Sequence, residues 1–168
     1  MGYLPAMWHD FAVTVAGLAG ALTGLLFVAV SINAQALAQS RSLSSRAAQT
    51  LVLFMTSAIA AIVLVAPQPE TALGAELLGL AAISGAALFV LDRRAGHDSA
   101  SRVARYIERA SPNSVTAVLV GVAGVSYLVN AGGGLYWMIP AVLASLAGGV
   151  INAWLFLIRV QADRDRTG

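Results

Sequence analysis

Long apolar blocks alternate with short polar stretches along the whole chain, and the blocks have the length of membrane-crossing helices. A helix rises about 1.5 Å per residue, so about 20 apolar residues cover a hydrocarbon core about 30 Å thick. The pattern predicts five such helices, at about residues 11–38, 48–66, 73–91, 115–131 and 136–158. Each has a stop or start signal. The first ends at Gln39, Ser40, Arg41 and Ser42, and the second at Pro67 and Pro69, since proline cannot continue the hydrogen-bond ladder. The third ends at Asp92, Arg93 and Arg94. The fourth follows Ser111–Pro112, with Asn113 or Ser114 as its expected N-cap, and breaks at Gly132, Gly133 and Gly134. Pro140 falls in the first turn of the fifth, where a missing N–H costs little.

Composition narrows the class to an all-α integral membrane bundle forming one domain over residues 1–168. Only 11% of residues are charged and 58% are hydrophobic, whereas roughly a quarter of a soluble domain carries charge. The first apolar run is too long for a cleaved signal peptide and is expected to be a retained helix. All 10 basic residues are arginine, and the net charge of +2 gives no case for nucleic acid. With no cysteine and 2 histidines, a thiolate nucleophile, iron–sulfur site, haem or zinc centre is not expected, and no cofactor is implied.

Where the arginines fall sets the expected orientation, because cytoplasmic loops retain basic residues during insertion. With five crossings, Arg41 and Arg46, the cluster from Arg93 to Arg109, and the tail with Arg159, Arg164 and Arg166 all lie on one side. The other side carries Asp10, Glu70 and Glu76. The expectation is therefore a multi-pass protein of a bacterial inner membrane with its N-terminus outside and its C-terminus cytoplasmic. Tyr3, Trp8, Tyr136 and Trp137 mark the outer interface and Trp154 the inner one. In the third connecting loop, Ser101–Ala110 sets Arg102, Arg105 and Arg109 opposite Val103, Ile107 and Ala110. That pattern predicts a short amphipathic interfacial helix whose arginines contact anionic membrane lipid, or else dock a cytoplasmic partner.

The candidate functional residues lie on two stripes. At about 100° per residue, Asp10, Thr14, Gly17, Ala21, Gly24, Val28, Ser31 and Gln35 share one face of the first helix, and Gly20 with Gly24 forms a GxxxG pair. The fifth helix gathers Ala141, Ser145, Gly148, Gly149 and Asn152. Such faces serve either as packing seams, where small residues let backbones approach, or as the lining of a hydrated path with Asp10 at its outer mouth. Thr116, Ala123, Tyr127 and Asn130 of the fourth helix, with Gln49 and Thr56 of the second, predict a weakly polar interior. Asp10 also fits a helix N-terminus, which stabilises a carboxylate. The triple glycine lacks a following GK[ST] and predicts a tight helix hairpin.

No Ser/His or Asp/Asp pair lies within the spans, so catalysis is not expected. Trp8–His9–Asp10–Phe11, followed by Gly24-Leu-Leu-Phe-Val-Ala-Val-Ser-Ile-Asn33, resembles the start of a group of small, uncharacterised bacterial multi-span membrane proteins, some labelled modulators of the FtsH protease. The resemblance covers about the first 35 residues and implies a protein partner without assigning residues to it. The sequence thus leads to a non-enzymatic membrane protein acting by helix association, as a homo-oligomer or as an accessory or modulator subunit. The alternative is a small oligomeric channel or transporter whose first and fifth helices line the path.

Overall fold

The computed structural model describes residues 2–95 and 112–167, all of whose regular elements are helical. The expected interfacial segment with Arg102, Arg105 and Arg109 lies outside the described residues. A 3-10 turn, Pro5–Trp8, leads into α1 (His9–Ile32), and then come α2 (Ala34–Gln39), α3 (Arg41–Val65), α4 (Glu70–Ala95) and α5 (Pro112–Val129). A second 3-10 turn, Gly134–Trp137, precedes α6 (Met138–Thr167). Four stretches are long and apolar enough to cross a membrane: Pro5–Ile32, Arg41–Val65, Glu70–Arg94 and Gly134–Ile158. Between them lies one shorter apolar helix, Ser114–Val129.

The helix boundaries differ from the sequence expectation at polar residues that are good helix formers or caps. The first apolar stretch is not one helix to residue 38 but breaks at Asn33, whose backbone leaves the helix at φ −110° and ψ 20°. There the Asn33 amide donates to the Ala29 carbonyl at 2.8 Å, taking an acceptor that would otherwise continue the ladder. α3 begins at Arg41 rather than at about 48, because Ser40 caps it by accepting from the Leu43 N–H at 3.4 Å. Arg41 and Arg46 are therefore helical residues and not loop residues. α4 likewise runs through Asp92, Arg93 and Arg94, with the Arg93 guanidinium 4.2 Å from the centre of the Phe89 ring. Asn113 and Ser114 lie inside the first turn of α5 and do not precede it, while α6 continues well past Ile158.

α3, α4, α5 and α6 form an up-and-down ring in which each packs on the next and α6 closes back onto α3. α1 lies outside this ring against α3 and barely touches α6. The most extensive pairing, α4 with α5, uses small residues that face each other. A Cβ on Gly85 would lie 3.3 Å from the Ala117 Cβ, one on Gly121 would lie 3.6 Å from the Ala81 Cβ, and one on Gly124 would lie 3.1 Å from the Gly74 carbonyl oxygen. The backbones meet where side chains are smallest, as in membrane helix pairs.

The α5–α6 hairpin is built by residues in the left-handed region: Asn130 (φ 53°), Gly132 (φ 80°), Gly133 (φ 109°) and Gly134 (φ 60°). Ser126 Oγ donates to the Ala131 carbonyl and accepts from the Gly134 N–H, so one hydroxyl ties both limbs of the turn. The N-terminal segment is laced onto this hairpin. The Leu135 N–H donates to the Gly2 carbonyl at 2.8 Å, and the Gly133 N–H donates to the Tyr3 hydroxyl at 3.0 Å. Trp8 stacks edge-on against Tyr136 at 5.1 Å, and Trp137 Nε1 donates to the Gly132 carbonyl at 2.7 Å. The larger buried cluster sits at this end, joining Trp8, Leu64, Leu73, Tyr127 and Met138. A smaller one, Leu43, Ala47 and Phe156, sits at the other.

Gly134 tests this closure, since a Cβ there would lie 2.5 Å from the Gly2 carbonyl oxygen at a φ that L residues rarely adopt. Gly134→Ala is expected to destabilise the fold by about 1–3 kcal/mol, the usual range for strained backbone. Gly20→Ala, a helical glycine with nothing within 4 Å, should be neutral or slightly stabilising. Denaturant titration of both variants in detergent, followed by circular dichroism, measures the difference; equal stability would mean that the N-terminal lacing is absent.

Candidate functional site

The two small-residue stripes face opposite ways. On α1, the face buried against α3 is Ala12, Val15, Ala19 and Leu26. Asp10, Thr14, Gly17, Ala21, Gly24, Val28 and Ser31 of α1, and Gln35 of α2, are all exposed. At about 100° per residue the α1 stripe lies roughly opposite the buried face. It is therefore not a seam within the protomer. Gly17, Gly20 and Gly24 have open space where a side chain would be, flanked by the exposed apolar side chains of Val13, Leu18 and Leu25. The hydroxyls on this helix are satisfied internally: Thr14 donates to the Asp10 carbonyl, Thr23 to Ala19 and Ser31 to Phe27, each at 2.8 Å. Such back-bonding leaves a face that needs no water.

On α6 the stripe points into the ring. Ala141, Ser145, Gly148 and Gly149 are buried and Asn152 is half-buried. Ser145 Oγ donates to the Leu53 carbonyl of α3 at 2.6 Å, a buried interhelical bond. The Phe54 ring occupies the space that a Gly149 side chain would need. Phe54 is 2% exposed, so it closes the seam as a plug of carbon and not of water. A phenylalanine on another helix carries no sequence signal linking it to Gly149, and only the fold brings them together. The cleft that α1 and α6 do share, about 250 Å³ with Leu22, Leu25, Ala29, Val150 and Trp154 among its walls, is apolar and includes none of the stripe residues named for a path.

The interior carries hydroxyls and amides at modest density. Gln49, Thr50, Thr56, Ser57, Thr116 and Ser126 are buried, and so are Ala123 and Tyr127, while Asn130 turns outward at the hairpin. Two buried hydroxyls, on Ser57 and Tyr127, have no hydrogen-bond partner among the described residues. Asp10 is exposed in the first turn of α1 and favourably near its positive end, but the N-cap position belongs to Trp8 and no side chain caps it. Among the described residues no three His, Cys, Asp or Glu side chains gather as a metal site.

Sequence reasoning passed over Ser126 and the α4/α5 glycines, and it took Ser40 as the end of one helix and not as the cap of the next. The glycines had a legible signal, since Gly74, Ala81 and Gly85 recur at helical spacing on α4 and Ala117, Gly121 and Gly124 do so on α5. Ser126 had none, because its partners lie across a turn whose geometry the triple glycine permits without specifying.

Two substitutions separate glue from orphaned polarity. Ser145→Ala should cost about 0.6–1.7 kcal/mol, the range for interhelical hydrogen bonds in membrane bundles. Tyr127→Phe should be neutral or stabilising, because the buried hydroxyl it removes has no partner among the described residues. Unfolding free energies in detergent measure both, and a loss at Tyr127→Phe would show that the hydroxyl is engaged. Compared with known proteins, the chain matches no family model, and no curated protein and no solved structure matches it.

Proposed function

We propose that this chain is a five-span protein of a bacterial inner membrane, with its arginine-bearing end in the cytoplasm, that works by lateral association through the outward face of α1 and carries out no chemistry of its own. The observation that carries this reading is the exposed strip Gly17, Gly20, Ala21 and Gly24, open at every glycine and set opposite the face that binds α3. A flat strip of that kind gains van der Waals contact when a second helix lies along it, and such contact drives association where apolar burial supplies no force. The first partner in view is a second copy, because the face is uncharged apart from Asp10 at its end and two identical strips fit each other. A helix of a larger complex served as accessory subunit would use the same surface, in keeping with the partner implied by the resemblance at the N-terminus.

The fifth crossing rests on α5. Its 18 residues span roughly 27 Å at 1.5 Å each, close to the hydrocarbon thickness, and it lies along α4 over most of its length. The rival reading, a path lined by α1 and α6, is less well supported. The α1 hydroxyls are bonded within their own helix, Phe54 fills the α6 seam, and the cleft between the two helices is apolar.

The double variant Gly17→Leu, Gly24→Leu should abolish crosslinking between single cysteines placed at Ala21 in the membrane while leaving the protomer at least as stable as the wild type, since leucine favours a helix over glycine. A wild-type protein that stays monomeric in the bilayer would end the association reading. The chain has no native cysteine, so Glu70→Cys and Arg94→Cys report orientation directly. An impermeant thiol reagent added to intact cells should label the first and spare the second.

A further inference from the structure

At the basic end of the bundle, the first turns of α3 and the last turn of α4 enclose a cleft of about 550 Å³, lined by Arg41, Ser44, Ser45, Ala48, Leu91 and Arg94. It belongs to neither stripe. The two guanidiniums come from different helices, and neither helix alone would form the site. Both arginines are exposed, and neither makes an ion pair among the described residues. Arg93 is turned onto the Phe89 ring, and Asp92 does not line the cleft, so among the described residues the charge lining it is positive. The N-terminus of α3 adds the positive end of its dipole at Arg41. The Ser44 hydroxyl is held by the Leu37 carbonyl at 2.6 Å, which fixes α2 over this end, whereas Ser45 contributes a buried hydroxyl to the wall.

We propose that this cleft binds the phosphate of an anionic phospholipid headgroup between Arg41 and Arg94, with the start of an acyl chain over Ala48 and Leu91. Phosphate chemistry follows from the pair of guanidiniums, which match the geometry of a phosphodiester and repel a cationic headgroup. A lipid rather than a soluble phosphate follows from the floor. Ala48 and Leu91 lead from the charges onto the apolar surfaces of α3 and α4, which an inorganic anion could not use. Bound there, the lipid bridges the two helices at the end where no hairpin joins them. The site rests on the membrane placement proposed above but not on self-association, so it can fail while that reading stands.

The test uses the full chain in mild detergent, with phosphatidylglycerol, phosphatidylcholine and soluble glycerophosphate compared by native mass spectrometry. Phosphatidylglycerol should be retained well above phosphatidylcholine. Arg41→Gln and Arg94→Gln should each weaken retention about fivefold and together roughly 25-fold, the effect expected of one arginine at an anionic surface taken twice. Leu91→Trp, which fills the floor without changing charge, should weaken it as well, and Glu70→Gln at the opposite end should not. Melting temperature in detergent without added lipid verifies that each variant is folded. Equal retention of the two lipids, or wild-type retention by the folded double variant, would overturn the site. Loss on arginine substitution with none in folded Leu91→Trp would reduce it to diffuse surface charge. Glycerophosphate competing at the same concentration as the lipid would make the ligand a soluble phosphate.

Discussion

A helix backbone can come into contact with its neighbour only where the side chains between them are small, and three helix pairs of this bundle meet at such places. Ala12 and Ala19 carry α1 against α3, glycine and alanine carry α4 against α5, and Ser145 with Gly149 carries α6 against α3. The outside of the same helices is covered with large apolar side chains, among them Leu25, Phe27, Ile83, Leu143 and Trp154. In water that arrangement would be inverted. For apolar helices among lipid tails it is the expected one, because contact area and hydrogen bonds hold such helices together while burial of carbon gains little.

The two ends of the bundle are closed by different means. At one, aromatic rings and the positive-φ hairpin hold the N-terminal segment, and Ser126 satisfies backbone groups that the turn would leave open. At the other, the described residues show no such lacing. The end of α2 and the start of α3 are kept together by the Ser40 cap and the Ser44 to Leu37 bond, and arginines gather across the mouth of a cleft. Among the described residues, one end is closed by its own side chains and the other carries a cleft between arginines. That contrast is why the proposed lipid contact falls at the basic end.

α1 is the helix through which the proposed association would run. Among the described residues it packs chiefly on α3 and keeps its glycines outward, which leaves that face uncovered by the rest of the bundle. α6, with a similar composition, turns its small residues inward and fills them with Phe54. Two stripes of similar chemistry thus face opposite ways, and the difference lies in what stands across from each.

By itself the sequence determined the all-helical class, the apolar helices, the proline stop between α3 and α4 and the glycine hairpin, because these follow from local rules of length, hydropathy and backbone freedom. It also placed the aromatic residues together in advance, since Tyr3, Trp8, Tyr136 and Trp137 lie beside predicted helix ends. It misjudged boundaries where polar residues such as Arg41 and Arg93 continue a helix, because low hydropathy marks the end of an apolar stretch and not the end of a hydrogen-bond ladder. Which way each stripe faces was beyond it. Gly24 and Gly149 are alike as residues in helices, and only packing decided that one faces outward and the other is filled by Phe54, because contact is a property of pairs of helices and periodicity is a property of one.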